Sequence, residues 1–424
     1  MSHIEEEAAV FLTKFLRNID KISLKKFIYK LPQKGKKRRK LQRILYGVIN
    51  NFYLINWLLD YIELPKSDYE LNLLRVITYR IAIEKNFEVL NRIDRVYKYE
   101  LNELRALFGN LLGSINKMNY VDKLALKYSF PKWVVEKLLS WIPIGKLESM
   151  LAGLNQRTCQ WAVVNSLKVE LDEVIESLKE EGYKVVPDTD FYDVICIKHL
   201  PKPLEKSSAY KNQWILLADK SSISAVHALD PRPGDIILDL CSAPGIKLIC
   251  SVFRMKEGKI IAVDVSEERV QRMKRLLKMY EVKKYVDVKI IVKDARKLSL
   301  DDVNACNKIL LDPECTSSGI IPRTPDVKLR LTPERLKLLS ELQRELLFKA
   351  IKIGNEVNAD YIVYSVCSIF PEEAELLIEE VLNKFNLKTS DLRFGIEAYI
   401  PKTGRRFFPH IHKTLGFFVS KILL

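Results

Sequence analysis

From about residue 206 the chain alternates short apolar runs with amphipathic helical segments, and that alternation points to an open, doubly wound α/β sheet. Runs of strand composition fall at Ile236–Leu240, Lys259–Val263, Val286–Val292, Lys308–Leu311, Tyr361–Val366 and Phe417–Lys421. Helical periodicity occupies about 245–254, 266–280, 333–353 and 371–385. Open α/β sheets bind ligands at the carboxyl ends of their strands, so residues there are candidates for chemistry. The stretch Asp360–Glu373, DYIVYSVCSIFPEE, places Cys367 at such an end. Tyr361, Ile362, Val363, Tyr364 and Val366 have the composition of a buried strand, and Pro371 opens an amphipathic helix. Glu372 and Glu373 suit the unpaired N–H groups of that helix's first turn. A cysteine is ordinarily a small buried hydrophobe, but between a strand end and a helix N-terminus its thiol pKa can fall.

Upstream the chain differs in kind. Residues 1–120 read as helices only, with apolar faces at Leu41, Ile44, Leu45, Val48 and Ile49, at Leu71, Leu74, Val76 and Ile77, and at Leu101, Leu104, Leu107, Phe108 and Leu111. Between the first helices lies the basic run Lys34–Lys40, KGKKRRK, followed by Arg43; it is either a solvated face or a nucleic-acid contact. Residues 121–205 carry a helix introduced by Phe130-Pro131, then a strand–helix–strand pattern at Gln160–Asn165, Glu170–Glu180 and Phe191–Ile197. Pro201 and Pro203 mark a linker into the α/β part, 206–424. The chain is therefore multidomain: an all-α N-terminal bundle, a small α+β lobe and an α/β domain.

A net charge of +15 over 424 residues favours a polyanionic partner. Seven cysteines, odd in number and without a C-x-x-C pair, indicate a reducing compartment and no structural zinc or other metal site. The acidic start MSHIEEEAAVF is unlike a signal peptide, and no apolar run reaches membrane-spanning length. A cytoplasmic monomer without a membrane partner is expected.

The first strand of the α/β part leads into Cys241-Ser-Ala-Pro-Gly-Ile-Lys247, a small-residue turn that lets a cofactor approach the backbone. Asp264 ends the second strand, where a carboxylate can accept ribose hydroxyls, and Asp294 ends the third, placed for an adenine amino group. A helix cap explains either Asp taken singly. Neither G-x-G-x-x-G nor a Walker A loop is present, and S-adenosylmethionine fits better than a nicotinamide or a nucleoside triphosphate.

The fourth strand ends in LLDPECTSSG, which brings Asp312 and Cys315 to the same edge as Cys367. Here the chain resembles the RsmB/Sun (NSUN) family of RNA cytosine-5 methyltransferases. The stretches that carry the resemblance are LDLCSAPGIK, AVDVSEERV, KDAR, LDPECTSSG, YSVCSIFPEE and RFFPHIHKTLGFFVSKIL, in the family's order. YSFPKWVVEKLL, VVNSLK and ADKSS extend it upstream, and LQRILYGVIN with ELRALFGNLLGSI resembles the NusB-like helical domain of some members.

The resemblance implies a NusB-like RNA-binding domain, a small RNA-binding lobe and a Rossmann-like methyltransferase domain using S-adenosylmethionine. It implies that Cys367 attacks carbon 6 of the cytosine, that Asp312 supports protonation at N3, that Cys315 assists release and that Lys247 faces the target nucleotide. It assigns the cofactor to Cys241, Ser242, Ala243, Pro244, Gly245, Ile246, Lys247, Asp264, Arg269, Asp294, Ala295 and Asp312. Ribosomal RNA is the implied substrate through the NusB-like domain. The alternatives are transfer RNA, or a non-catalytic RNA-binding protein of ribosome assembly. Three positions depart from the family pattern. Ile246 replaces a second glycine, so a less permissive backbone is expected there. Glu314 replaces a proline and should raise the Cys315 pKa, and Val366 replaces a threonine, removing a hydroxyl from the pocket.

Overall fold

A computed structural model describes residues 4–91 and 95–424, so the first three residues of the acidic start lie outside the described residues. The chain forms two compact units. One runs to Gln156 and also takes in Ile321–Leu331; the other holds Arg157–Ile320 and Thr332–Leu424. The helix expected after Phe130-Pro131 is Lys132–Leu139, and it falls within the first unit together with Tyr120–Lys127 and Ile144–Leu154.

The second unit is built on a mixed sheet. Its principal strands are β1 (Ile236–Leu240), β2 (Gly258–Asp264), β3 (Val286–Val292), β4 (Lys308–Leu311), β5 (Tyr361–Val366), β6 (Arg405–Phe407) and β7 (Phe417–Leu423). In space they run β3-β2-β1-β4-β5-β7-β6, with β3 through β5 parallel and β7 antiparallel to β5. The chain fills one side of β1 and then the other, so the topological switch lies between β1 and β4, where such sheets bind ligands. Alternation along the strands splits the core into two layers. Leu310 and Val363 pack on one face; Ile309, Leu311, Ile362, Tyr364 and Val366 pack on the other.

Helices α1 (Ile246–Met255), α2 (Glu267–Met279), α3 (Pro333–Val357) and α4 (Glu375–Phe385) accompany the sheet. The single helix expected over 371–385 is interrupted. Pro371–Glu373 is one 3-10 turn, Ala374 breaks the run at φ −135°, ψ −103°, and only then does α4 begin.

The small lobe is an antiparallel sheet in the order Lys184–Pro187, Val194–His199, Gln160–Val164, Ile215–Leu217, with the helix Leu171–Glu180. Its last strand lies past the linker expected near 205, so the lobe extends beyond the boundary read from the prolines. Cys159 and Cys196 form a disulfide with Cα atoms 6.0 Å apart. This departs from the reducing-compartment reading, since structural disulfides concentrate in oxidising settings and in hyperthermophiles.

In the first unit the expected helical faces are buried: Leu41, Leu45, Val48, Leu74, Ile77, Leu104 and Phe108 lie in one apolar cluster with Leu12 and Phe15 of Ile4–Leu16. Gly47 allows the Tyr79 ring to lie on its helix, since a Cβ there would meet Tyr79 Cζ at 2.0 Å. The basic run forms the first turns of Gly35–Asn50. Lys36, Arg39 and Lys40 are exposed, whereas Lys37 pairs with Glu7 and Arg38 donates to the Ile28 carbonyl at 3.0 Å.

Ile321–Leu331 is a strap that seats Lys328 inside this unit. Its ammonium is fully buried and donates to Asn50 O at 3.1 Å, Tyr128 O at 3.1 Å and Asn155 Oδ1 at 2.6 Å. Burial pushes its pKa down to about 7. No described helix is long and apolar enough to cross a membrane.

Candidate active site

Because β1 to β5 are in parallel register, with Leu240 and Tyr364 both opposite Leu311, their carboxyl ends form one edge. Cys315 and Cys367, 52 residues apart, meet there with sulfurs 3.2 Å apart. Cys315 is buried and Cys367 is half-buried. The hydrogen bond to Cys367, then burial, then the charges of Cys367 and Glu373 hold the Cys315 thiol well above its ordinary pKa. Cys315 therefore favours its protonated form, within hydrogen-bonding distance of the Cys367 sulfur.

The expected cause of that shift was Glu314, and the structure corrects it. The Glu314 side chain is 62% exposed and lies 3.5 Å from Arg335, while its carbonyl accepts from Gln343 Nε2 at 2.8 Å. Neighbours along an extended loop point in different directions, so adjacency in sequence is not proximity of charge.

Asp312 and Lys247 span the switch point. Lys247 Nζ donates to Asp312 Oδ2 at 2.5 Å, and Ser365 Oγ donates to Asp312 Oδ1 at 2.9 Å. Ser365 was not singled out from the sequence. It lies on the face of β5 opposite Tyr364 and Val366, and Val366 packs wholly in the apolar layer. The hydroxyl thought lost at 366 is thus met by one at 365 that faces the site.

The turn after β1 follows its residue types. Cys241 has φ +62°, Ser242 N–H donates to Val263 O at 2.8 Å, and the Ala243–Pro244 peptide is cis. Burial pushes the Cys241 thiol up to about 12. Gly245 takes φ +93°, and a Cβ there would lie 2.7 Å from Met273 Cγ, so this position needs glycine. Ile246 is the first helical residue of α1 and packs against the core. The expected backbone restriction at 246 therefore has no effect, because the left-handed position is 245.

Asp264 is 2% exposed, and its oxygens accept from Ala243 N at 3.0 Å and Ser266 N at 2.9 Å. A carboxylate fixed in this way keeps lone pairs for a further donor. Arg269 lies 3.5 Å from Asp264 and donates to the Ala243 carbonyl. Asp294 accepts from Arg296 N at 3.0 Å and pairs with the Arg296 guanidinium at 2.7 Å, which holds its carboxyl below the usual range. An adenine amino group there would share an oxygen with Arg296. Ala295 is buried in the turn that follows. Asp239, not singled out from the sequence, accepts from Ser242 Oγ at 2.6 Å beneath the turn, and burial pushes its pKa up to about 7. The donor set and the small-residue turn fit S-adenosylmethionine.

Glu373, expected to cap a helix, instead lies wholly buried beneath the two cysteine loops. Arg406, also fully buried, pairs with Glu375 through Nε at 2.5 Å and Nη2 at 2.6 Å, and donates from Nη1 to Ser368 O at 2.8 Å. The loop carrying Cys367 is thus supported from below by an ion pair.

Residues 226–423 match the family model described as 16S rRNA methyltransferase RsmB/F, and residues 130–202 match the RsmF/B-like ferredoxin-like domain. Similar proteins include ribosomal RNA small subunit methyltransferase B of Shigella boydii, 26% identical over 424 residues, covering 95% of this chain and 94% of that protein. The protein of the same name from Escherichia coli is 26% identical over 422 residues, with the same coverage. Residues 226–423 form an RsmB/F-type methyltransferase domain. RsmB/F members are S-adenosylmethionine-dependent RNA methyltransferases. Among solved structures, PH0851 aligns with TM-score 0.78 and 28% identity over 100% of this chain and 99% of its own. A methyltransferase homolog from Pyrococcus horikoshii aligns with TM-score 0.63 and 26% identity over 72% of this chain and 99% of its own. The RsmB/F match covers β1 through β7 and every residue of the edge described above.

Proposed function

We propose that this protein methylates carbon 5 of a cytosine in small-subunit ribosomal RNA through a covalent adduct between Cys367 and carbon 6. The observation that carries the reading is the pair of sulfurs 3.2 Å apart at the switch-point edge, beside the Asp312–Lys247 pair. Carbon 5 of cytosine is a poor nucleophile until a thiolate adds at carbon 6. The Cys367 sulfur bonds to carbon 6, the C5=C6 electron pair moves to form C4=C5, and the C4=N3 pair takes up at N3 a proton that the Lys247 ammonium passes through Asp312. Lys247 meets the charge that gathers on the pyrimidine edge. Bound S-adenosylmethionine supplies the methyl group as an electrophile, its sulfur keeping the electrons of the broken bond. Asp264 would hold the ribose and the turn Cys241–Lys247 the methionine end.

Release then uses both sulfurs. As the C6–S bond breaks, its electrons return to Cys367, which takes the proton of Cys315. Cys315 in turn accepts the proton leaving carbon 5, the C5=C6 bond re-forms, and the N3 proton returns through Asp312 to Lys247. The proton lost from carbon 5 ends on the sulfur pair and passes to solvent when Cys367 ionises again. The exposed bases Lys36, Arg39 and Lys40 support docking of the RNA on the first unit.

The test is transfer of labelled methyl to host small-subunit RNA, with denaturing gels of the protein–RNA complex. Cys367→Ala should abolish transfer and leave cofactor binding intact. Cys315→Ala should accumulate a covalent band that the double variant lacks. A band that persists in Cys367→Ala and vanishes in Cys315→Ala would reverse the two roles.

A further inference from the structure

Glu373 joins two loops that the chain keeps 52 residues apart. Its Oε1 accepts from Thr316 N at 2.8 Å and Gln343 Nε2 at 3.0 Å; its Oε2 accepts from Thr316 Oγ1 at 2.5 Å and from Ser368 Oγ. Thr316 directly follows Cys315, and Ser368 directly follows Cys367. Gln343 also donates to the carbonyl of Glu314, which precedes Cys315. Both cysteine loops are therefore pinned to a single carboxylate.

These donors are neutral, and burying a carboxylate among neutral donors is costly. Burial raises the Glu373 pKa, while the hydroxyl and amide donors pull it back. A plug that merely filled this space would be apolar, as the adjacent Ile369, Phe370 and Ala374 are. A carboxylate does what they cannot, since its two oxygens accept from separate loops at once.

We propose that Glu373 is a positioning residue for release of the product: it holds Cys315 within proton-transfer distance of Cys367. The inference rests on the two-cysteine reading above. Attack by Cys367 makes no use of the Cys315 sulfur, whereas release needs both sulfurs in register. A displacement of about 1 Å between reacting groups costs on the order of a hundredfold in rate. Loosening the junction should therefore slow release more than binding or attack.

The test is Glu373→Gln, which keeps the shape but replaces one acceptor oxygen by an NH2 that can only donate, so the Thr316 and Ser368 hydroxyls lose their common acceptor and must turn to accept instead. In the full-length enzyme kcat should fall by about ten- to a hundredfold. The ratio kcat/KM for RNA and for S-adenosylmethionine should stay within about twofold, because binding, attack and methyl transfer precede the slowed step, so KM falls along with kcat. A covalent protein–RNA band should accumulate during turnover and disappear in the double variant with Cys367→Ala. Wild-type kcat with no band in a folded Glu373→Gln protein would overturn the proposal. So would a fall in kcat accompanied by equal rises in both KM values and no band, which marks a merely structural role. Should Glu373→Gln fail to fold, Thr316→Val removes one hydroxyl donor and is held to the same kcat, KM and band criteria. Methyl transfer that survives in Cys367→Ala strikes the two-cysteine reading itself and takes this proposal down with it.

Discussion

Replacing Arg406 with methionine separates the two parts of the support under the Cys367 loop. Arg406 is 0% exposed and forms a two-pronged pair with Glu375, while its remaining donors reach Ser368 O at 2.8 Å and Phe370 O at 3.4 Å. Its guanidinium carbon also lies 4.3 Å from the Tyr399 ring centroid. Without the arginine, Glu375 keeps the Tyr399 N–H at 3.0 Å but loses its cation. Breaking a buried pair from one side costs about 3–5 kcal/mol. The orphaned Ser368 carbonyl adds roughly 1 kcal/mol, and the long bond to Phe370 less. At about 2–4 °C per kcal/mol for a unit of this size, Arg406→Met should lower the melting temperature of the second unit by roughly 10–20 °C. The double variant Arg406→Met/Glu375→Met removes the stranded charge and should recover all but about 1–2 kcal/mol. Scanning calorimetry on the three proteins checks this. A single variant melting within about 3 °C of wild type, or a double variant no more stable than the single, would refute the argument.

Lys328 provides a pH-dependent counterpart. Between about 10.5 and about 7 the unfolded chain carries a proton on this amine that the folded chain does not, so wild-type stability falls as pH falls through that window and levels off below it. Urea midpoints of wild type and Lys328→Met should diverge across the window, and a constant difference would refute the buried amine. Asp264→Ala should weaken S-adenosylmethionine binding by about 1–3 kcal/mol, as for lost charge-assisted hydrogen bonds; calorimetry with unchanged affinity in a folded variant removes Asp264 from the site. Neutralising Lys36, Arg39 and Lys40 should weaken RNA binding and flatten its salt dependence while sparing cofactor affinity. An unaltered slope of log affinity against log salt would leave this run a solvated face.

Much of the catalytic sheet was legible. β3, β4 and β5 occupy the expected residues because apolar, β-branched runs are bounded there by Lys293, by Asp312-Pro313 and by Asp360 and Cys367-Ser368 respectively. That Asp312, Cys315 and Cys367 share one edge was legible too, since an α/β sheet brings strand ends together whatever the loop lengths. What escaped depends on partners far along the chain. Glu373 follows Pro371 as a helix-cap acid would, yet its donors at Thr316 lie 57 residues away. Ile215–Leu217, a strand of three residues, is too short to announce itself. The Cys159–Cys196 disulfide forms because neighbouring strands bring the two residues together, which spacing alone cannot reveal. The polar look of PDVKLR hides Lys328, because a lysine is read as surface unless three acceptors are known to await it.

The strap has a consequence for anyone who would divide this protein. A cut after Gln156 looks natural, yet the downstream fragment would still carry Ile321–Leu331, whose packing surface lies upstream of the cut. Val327 and Lys328, buried in the intact chain, would then face water. The upstream fragment would fare no better, with the carbonyls of Asn50 and Tyr128 left around an empty socket. Neither half is a transplantable cassette. A chimaera that exchanges the N-terminal helices must exchange these eleven residues as well, although they are encoded in the middle of the methyltransferase domain.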